Sequence, residues 1–267
     1  MSDPADEAEE RSSPSGRIVY EAILKAGEDE LERPTSALLW SGLAAGLSMG
    51  FSFLAVGLLR ALLPHATWVP LVAAFGYSLG FVIVILGRQQ LFTENTLTVI
   101  LPLMRKRDAH TLANVGRLWV TVLVANVVGA LAFAWVLART QVVEAGTFEA
   151  LKTAAIEAAP PSFGVAVLRG VFAGWLIAMV VWLLPFAETA RLWVIILLTY
   201  IVGLAGLSHV IVSTVDAGFL VFAGESTWRE LAIGTFVPSL LGNIVGGVAL
   251  VAALNHAQVV AGGGVDA

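Results

Sequence analysis

The chain has 267 residues, of which 58% are hydrophobic and only 13% are charged. A soluble domain carries about 25% charged residues, so this composition excludes a water-soluble enzyme and indicates a protein embedded in a lipid bilayer. The formal net charge is -5, and the absence of cysteine excludes disulfides, thiolate metal sites and cysteine nucleophiles.

The amino-terminal segment, residues 1–32, carries most of the acidity. It contains ten of the twenty acidic residues and three of the fifteen basic ones. It lacks the basic start and apolar run of a cleavable signal peptide, so we predict a cytoplasmic, largely disordered extension. The apolar positions between Arg17 and Leu31 favour a short amphipathic surface helix within it.

Six apolar stretches follow, each long enough to cross a hydrocarbon core about 30 Å thick. They cover residues 38–63, 69–103, 112–138, 163–185, 192–224 and 231–254. The second and fifth are too long for one plain helix and contain polar residues in the middle, at 87–96 and at 208–216. We therefore predict an all-α membrane protein with six transmembrane helices, of which the second and fifth are broken.

An internal repeat relates the two halves of this pattern. Leu63-Pro64 recurs as Leu184-Pro185, Tyr77 recurs as Tyr200, and the run at 125–129 recurs at 242–246. Three spans is an odd number, so the second half must enter the membrane upside down. An inverted 3+3 repeat with broken helices in matching positions points to a transport site near the bilayer midplane.

The positions of lysine and arginine give the orientation. With the amino terminus inside, nine of the fifteen fall in cytoplasmic segments and four in external ones. Short cytoplasmic loops are enriched in these residues, so we predict that both termini are cytoplasmic.

The broken spans carry the candidate chemistry. Non-helical backbone at membrane depth must face an interior, and each break exposes a helix amino terminus whose N–H groups attract anions. His209, flanked by Ser208 and Ser213, is either a core histidine bonded to a freed carbonyl or a neutral imidazole that shares a proton with an anion. Thr93 either caps the following half-helix or donates a hydrogen bond to a solute, and both can hold.

Four ionisable residues fall within or beside spans, namely Arg88, Glu94, Arg169 and Asp216. Charges at membrane depth are costly unless they are paired or face water. Two cations and two anions predict ion pairs that hold the broken loops in place. The alternative is that these residues attract the solute or gate its passage.

These residues also carry a family resemblance. Leu91-Phe92-Thr93-Glu94-Asn95-Thr96 in the second span, Arg169-Gly170 in the fourth, His209 in the fifth and the run at 238–247 in the sixth occur in order. The chain resembles the formate/nitrite transporter family over residues 34–255. Residues 88–96 resemble most the YfdC-like branch of that family.

The resemblance implies an aquaporin-like, six-span pore domain at 33–255, with a short cytoplasmic tail at 256–267. It implies a homopentamer in the bacterial inner membrane, with one pore per protomer. Its members move small monovalent anions such as formate or nitrite, often with a proton, and are not enzymes. No cofactor, metal or nucleic acid is expected, and the partners are the lipid bilayer, the solute and other copies of the chain.

The resemblance also assigns the pathway. Leu91 and Phe92 would form a cytoplasmic slit, and Thr93 would lie against His209. The neighbouring residues Glu94, Asn95, Ser208 and Ser213 are further candidates for the pathway, with Phe75 and Phe172 as weaker candidates for the pore wall.

Two departures from the family pattern leave other functions open. Glu94 stands where members that carry formate usually have a small residue, and the expected vestibule lysine has no match in register. One alternative is therefore a pore of the same fold for a neutral or cationic solute. Another is a non-conducting membrane scaffold or sensor whose acidic tail docks a partner.

Overall fold

The computed structural model describes residues 15–261, and every regular element in that range is helical. Predictions for residues 1–14 and 262–267 lie outside the described residues. The α-helices preceding residue 224 are α1 (Gly16–Glu32), α2 (Thr35–Leu62), α3 (Val69–Leu86), α4 (Asn95–Thr98), α5 (Ile100–Lys106), α6 (Ala109–Arg139), α7 (Ala145–Ala158), α8 (Phe163–Leu183), α9 (Arg191–Leu204) and α10 (Val210–Ala223).

The last helical segment alternates between two forms. Its π-helical turns, Glu230–Phe236 and Val245–Ala253, are followed by α11 (Val237–Ile244) and α12 (Leu254–Ala261), respectively. A π-helical turn makes i→i+5 bonds and often occurs at a functional site.

Five helical segments of residues 15–261 are long and apolar enough to cross a membrane. They are Thr35–Leu62, Val69–Leu86, Ala109–Arg139, Phe163–Phe186 and Glu230–Val259. The predicted fifth stretch consists instead of α9 and α10, each 14 residues long. Neither alone reaches the roughly 20 residues that a full span needs.

The polar residues of the second and fifth stretches lie partly in non-helical segments and partly in a helix. Residues 87–94 and 205–209 are non-helical, as their polar and glycine residues predict. Residues 213–216 were also predicted to lie in a break, but they form the middle of α10. Polar side chains in a helix that borders a cavity resemble those of a loop in sequence, which explains the error.

Two buried asparagines hold the non-helical segments. Asn126 on α6 donates from Nδ2 to the carbonyls of Gly42 and Gln90, and its Oδ1 accepts from the N–H of Phe92. Asn243 on α11 donates to the carbonyls of Gly170 and Ser208, and its Oδ1 accepts from the N–H of Val210.

The six bonds of the two asparagines are 2.8–2.9 Å long. Backbone polar groups freed by a break must find partners when they are buried. Each asparagine therefore replaces part of the hydrogen bonding that an unbroken helix would have supplied.

Glycine allows the helices that carry these asparagines to pack closely. A Cβ at Gly46 of α2 would overlap the carbonyl of Asn126, and a Cβ at Gly174 of α8 would overlap the carbonyl of Asn243. Such small residues let helix backbones approach within a membrane. The contacts α2–α6 and α8–α11 thus fix both asparagines in equivalent positions.

The amino-terminal helix α1 is docked on the rest of the molecule. Tyr20, Ile23 and Leu24 are buried, and a Cβ at Gly27 would overlap the carbonyl oxygen of Thr98. Glu21 pairs with Arg105 and Glu28 pairs with Lys106. The predicted amphipathic helix is present, but residues 16–32 differ from the largely disordered segment that was predicted because their apolar face is covered.

Candidate functional site

The two non-helical segments meet at a hydrogen bond between two fully buried side chains. Thr93 Oγ1 lies 2.7 Å from His209 Nε2, and both residues are 0% exposed. Thr93 belongs to the segment after α3, and His209 is the N-cap of α10. The family resemblance predicts this contact.

The second ring nitrogen defines the tautomer. His209 Nδ1 accepts a hydrogen bond of 3.4 Å from the N–H of Val212. A neutral imidazole that accepts at Nδ1 carries its proton on Nε2, so Nε2–H donates to Thr93 Oγ1. The hydroxyl hydrogen of Thr93 is then available to a solute.

Aromatic and aliphatic side chains surround the pair. The ring of Phe81 meets the His209 ring edge to face at 4.9 Å between centroids. Leu91 and Phe92 are each 1% exposed, and Phe92 packs edge to face against Trp119 at 5.5 Å. An apolar shell of this kind excludes water and favours the neutral imidazole.

The helix amino terminus at this break differs from the prediction. It was expected to present unpaired N–H groups to an anion, but the N–H of Val210 is bonded to Asn243 Oδ1 and that of Val212 to His209 Nδ1. The Asn243 and His209 side chains thus accept hydrogen bonds from two N–H groups that were predicted to be unpaired.

Two cavities are lined by residues that neighbour Thr93 or His209 in the sequence. The Asp216 cavity, of about 220 Å³, is lined by Asp216, Ser213 and Val212 of α10 together with α2, α3 and α7. The Glu94 cavity, of about 410 Å³, is lined by Glu94 and Arg88 together with α1 and the region after α8. Each cavity contains residues close in sequence to one partner of the buried pair.

The predicted ion pairs are absent from the described part of the chain. None of the salt bridges within residues 15–261 includes Arg88, Glu94, Arg169 or Asp216. Glu94 Oε1 and Asp216 Oδ1 are instead buried without a hydrogen-bond partner there. Counting charges in the sequence was misleading because the two carboxylates border different cavities.

Asn95 and Ser208 stabilise the segments through hydrogen bonds. Asn95 Nδ2 donates to Gln90 Oε1 over 3.0 Å, and the Asn95 carbonyl accepts from Trp119 Nε1. The Ser208 carbonyl accepts from Asn243 Nδ2. Both residues are at most 4% exposed, so these contacts support the loops around the pair.

The two weaker pore-wall candidates lie elsewhere. Phe75 is 51% exposed and stacks on Tyr200, and Phe172 is 54% exposed. Neither residue lines the Asp216 cavity or the Glu94 cavity. The aromatic residue against His209 is Phe81, and Phe53 and Tyr77 line the Asp216 cavity.

Sequence reasoning missed the function of two asparagines. Asn126 and Asn243 stand in the runs at 125–129 and 242–246 from which the internal repeat was predicted, and these runs were the available signal. The repeat runs were interpreted as packing and symmetry, whereas these side chains clamp both segments.

Residues 15–261 contain no group of three His, Asp or Glu side chains that could hold a metal ion.

Comparisons with known proteins show the family of the chain. Residues 17–257 match the family model described as Formate/nitrite transporter, so the match includes α1. The chain is 39% identical over 254 residues to the inner membrane protein YfdC of Escherichia coli (strain K12), covering 94% of this chain and 81% of that protein. It is 26% identical over 243 residues to the formate channel BtFdhC of Bacillus thuringiensis, covering 87% and 91%.

Solved structures show the same fold. A structure described as an FNT family ion channel matches with a TM-score of 0.72 and 20% identity, over 91% of this chain and 98% of that one. A pentameric formate channel with formate bound matches with a TM-score of 0.69 and 19% identity, over 88% and 98%.

Proposed function

Because the chain belongs to the formate/nitrite transporter family, we propose that it is a channel or secondary transporter for small monovalent weak-acid anions such as formate or nitrite. The named function of BtFdhC, a formate channel, supports this solute class. The observation that carries the proposal is the buried Thr93–His209 hydrogen bond between segments that border two cavities.

The pore domain is an aquaporin-like inverted repeat of six spans that assembles as a homopentamer. Support for the repeat comes from the matched bonds of Asn126 and Asn243, which clamp equivalent segments in each half. Support for the pentamer comes from the pentameric formate channel of the same fold.

The membrane is the bacterial inner membrane, and both termini lie in the cytoplasm. The inner membrane location of the YfdC relative supports the first statement. The excess of lysine and arginine on the side of the amino terminus supports the second.

At the constriction, His209 and Thr93 act on the solute together. A solute oxygen that approaches accepts a hydrogen bond from the Thr93 hydroxyl or from His209 Nε2–H. A neutral imidazole provides a donor at Nε2 without adding a charge, and an arriving anion stabilises the charged form, in which Nδ1 takes a proton in place of its bond from the Val212 N–H. This exchange couples anion passage to proton passage.

The test is uptake of radiolabelled formate or nitrite by proteoliposomes that contain the purified full-length protein. We expect wild-type uptake well above that of empty vesicles, and a strong loss for His209→Ala and for Thr93→Ala. Uptake by the wild-type protein no greater than that of empty vesicles would contradict the assigned solute class.

A second candidate function is a pore for a neutral or cationic small solute. The observation that favours it is that a carboxylate borders each cavity, with Glu94 Oε1 and Asp216 Oδ1 both buried and unpartnered among the described residues. An unpaired carboxylate repels anions and attracts donors. This function predicts that Glu94→Gly changes the solute selectivity, and an unchanged profile would count against it.

A further inference from the structure

The backbone carbonyls around the Thr93–His209 pair are engaged in hydrogen bonds within the protein. Five of them accept from the two buried asparagine side chains or from backbone N–H groups, namely the carbonyls of Gln90, Leu91, Glu94, Ser208 and His209. A buried carbonyl oxygen without such a donor would seek one from its surroundings. The engaged carbonyls are therefore less available as acceptors for a passing solute.

The carbonyl of Thr93 depends on one side chain for its hydrogen bond. Thr96 Oγ1 donates to it over 2.7 Å, and both threonines are 0% exposed. Within residues 15–261, the Thr93 carbonyl accepts no further hydrogen bond. The residue whose hydroxyl meets His209 thus has its own backbone oxygen held by the Thr96 hydroxyl alone.

Gly247 confines the Thr96 hydroxyl to this arrangement. It belongs to the π-helical turn Val245–Ala253, and a Cβ added at Gly247 would overlap both Oγ1 and Cβ of Thr96. The absence of a side chain at this position lets the last helical segment close directly against Thr96. The hydroxyl is therefore enclosed between Gly247 and the carbonyl to which it donates.

The engaged carbonyl leaves hydrogen-bond donors at the constriction. His209 Nε2–H and the hydroxyl hydrogen of Thr93 are both donors, and donors stabilise an anion. Carbonyl oxygens have the opposite effect, since they coordinate cations in selectivity filters and repel anions. The hydrogen bond to the Thr93 carbonyl therefore affects which sign of charge the constriction favours.

On the basis of the proposed function, we infer that Thr96 is a positioning residue that gives the constriction its preference for anions. Its hydroxyl fixes the peptide from which the Thr93 side chain reaches His209. It also occupies the acceptor that would otherwise offset the two donors. Thr96 acts on the solute through Thr93, and Gly247 provides the space in which the Thr96 hydroxyl keeps its direction.

The first experiment compares the uptake of labelled formate with that of labelled rubidium ion by proteoliposomes that contain the full-length protein. Thr96→Val removes the hydroxyl but keeps a β-branched side chain of similar shape beside Gly247. The ratio of formate to rubidium uptake should fall about tenfold in this variant, which corresponds to one hydrogen bond. Thr96→Ser keeps the hydroxyl and should restore most of the wild-type ratio.

Thr199→Val is the matched control. Thr199 is also 0% exposed, and its Oγ1 donates over 2.7 Å to the carbonyl of Ile195 within α9. It lines neither the Asp216 cavity nor the Glu94 cavity, so its ratio should equal that of the wild-type protein. A wild-type ratio in Thr96→Val, or an equal fall in Thr96→Ser or Thr199→Val, would overturn the inference.

A second experiment observes the position of Thr93 without transport. The protein is labelled with ¹⁵N-histidine and studied by solid-state NMR in bilayers, where the His209 signals are those that disappear in His209→Gln. The Nε2 signal reports the hydrogen bond to Thr93. It should shift in Thr96→Val and remain in place in Thr96→Ser and Thr199→Val. An unshifted signal in Thr96→Val would overturn the inference.

The two experiments separate the action of Thr96 from the transport function. If the wild-type protein takes up neither formate nor nitrite above empty vesicles, the proposed function fails, and the NMR signal still decides whether Thr96 positions Thr93. If formate uptake is normal but neither the uptake ratio nor the NMR signal responds to Thr96→Val, the inference fails and the proposed function stands.

Discussion

Arg88 and Gly206 hold the same position in the same C-terminal motif, with φ of 53° and 60°. The next N–H, that of Gln89 or Leu207, bonds to a carbonyl five residues back, that of Val84 or Val202. This is the Schellman arrangement. The helices before the two non-helical segments therefore end in one geometry, with glycine at the left-handed position in one case and arginine in the other.

Arg88→Gly should stabilise the protein. A left-handed backbone costs a residue with a Cβ about 1–2 kcal/mol, and glycine loses part of that gain through its greater freedom in the unfolded chain. We expect a net gain of about 0.5–1 kcal/mol, measured by unfolding in detergent. The reverse change, Gly206→Ala, should destabilise by about 1 kcal/mol, since nothing lies within 4 Å of the added Cβ and strain alone acts. A neutral Gly206→Ala would contradict this.

Asn243→Leu and Asn126→Leu should both be strongly destabilising. Each removes three hydrogen bonds and leaves a backbone N–H and two carbonyls without them. An unpaired buried group costs about 1–3 kcal/mol, so we expect at least about 3 kcal/mol for each in chemical denaturation. Asn114→Leu, at an asparagine that contacts His110 on the surface of α6, is the control and should change stability little. Comparable effects at all three sites would show that the clamps are unimportant.

Thr93→Val should abolish most solute flux while keeping the fold. Valine matches the shape of threonine but removes the hydroxyl that accepts from His209 and remains a donor to the solute. We expect a loss of about tenfold or more in the rate of labelled formate uptake, corresponding to one hydrogen bond. Thr93→Ser keeps the hydroxyl and should retain most of the rate, and equal rates for the two variants would argue against the assignment.

Gly27→Val should displace α1 from the core. A Cβ at Gly27 meets the carbonyl of Thr98, whereas one at Gly16 of the same helix meets nothing within 4 Å. Overpacking of this kind costs about 1–3 kcal/mol, so backbone amides of residues 16–32 should exchange hydrogen for deuterium faster in Gly27→Val. Gly16→Val should exchange at the wild-type rate. Unchanged exchange in Gly27→Val would mean that α1 tolerates the added side chain without moving.

Much of the fold could be predicted because bilayer physics restricts it. Apolar stretches near 20 residues predicted the spans, and the polar run at 87–96 predicted the non-helical backbone of residues 87–94, although Asn95 and Thr96 begin α4. The segment at 213–216 was predicted wrongly because Ser213 and Asp216 border a cavity from within a helix. Composition cannot distinguish these two environments, since both tolerate polar side chains.

The candidate site was only partly predictable. His209 and Thr93 stood out because polar residues at membrane depth are expensive and because the family pattern places them together. The absence of ion pairs among the described residues and the exposure of Phe75 and Phe172 depend on helix rotation and on which cavity each residue borders. Both features depend on tertiary packing, which no local sequence pattern specifies.

The asparagine clamps hold the two non-helical segments independently of each other. Gly42, Gln90 and Phe92 are all tied to Asn126, and Gly170, Ser208 and Val210 are all tied to Asn243. Each segment is thus bonded to a helix of its own half, and the side-chain bond between Thr93 and His209 links one segment to the other. A net cost of about 1 kcal/mol for such a bond is comparable to thermal energy, so a passing solute can break this link while the bonds of both asparagine side chains stay intact.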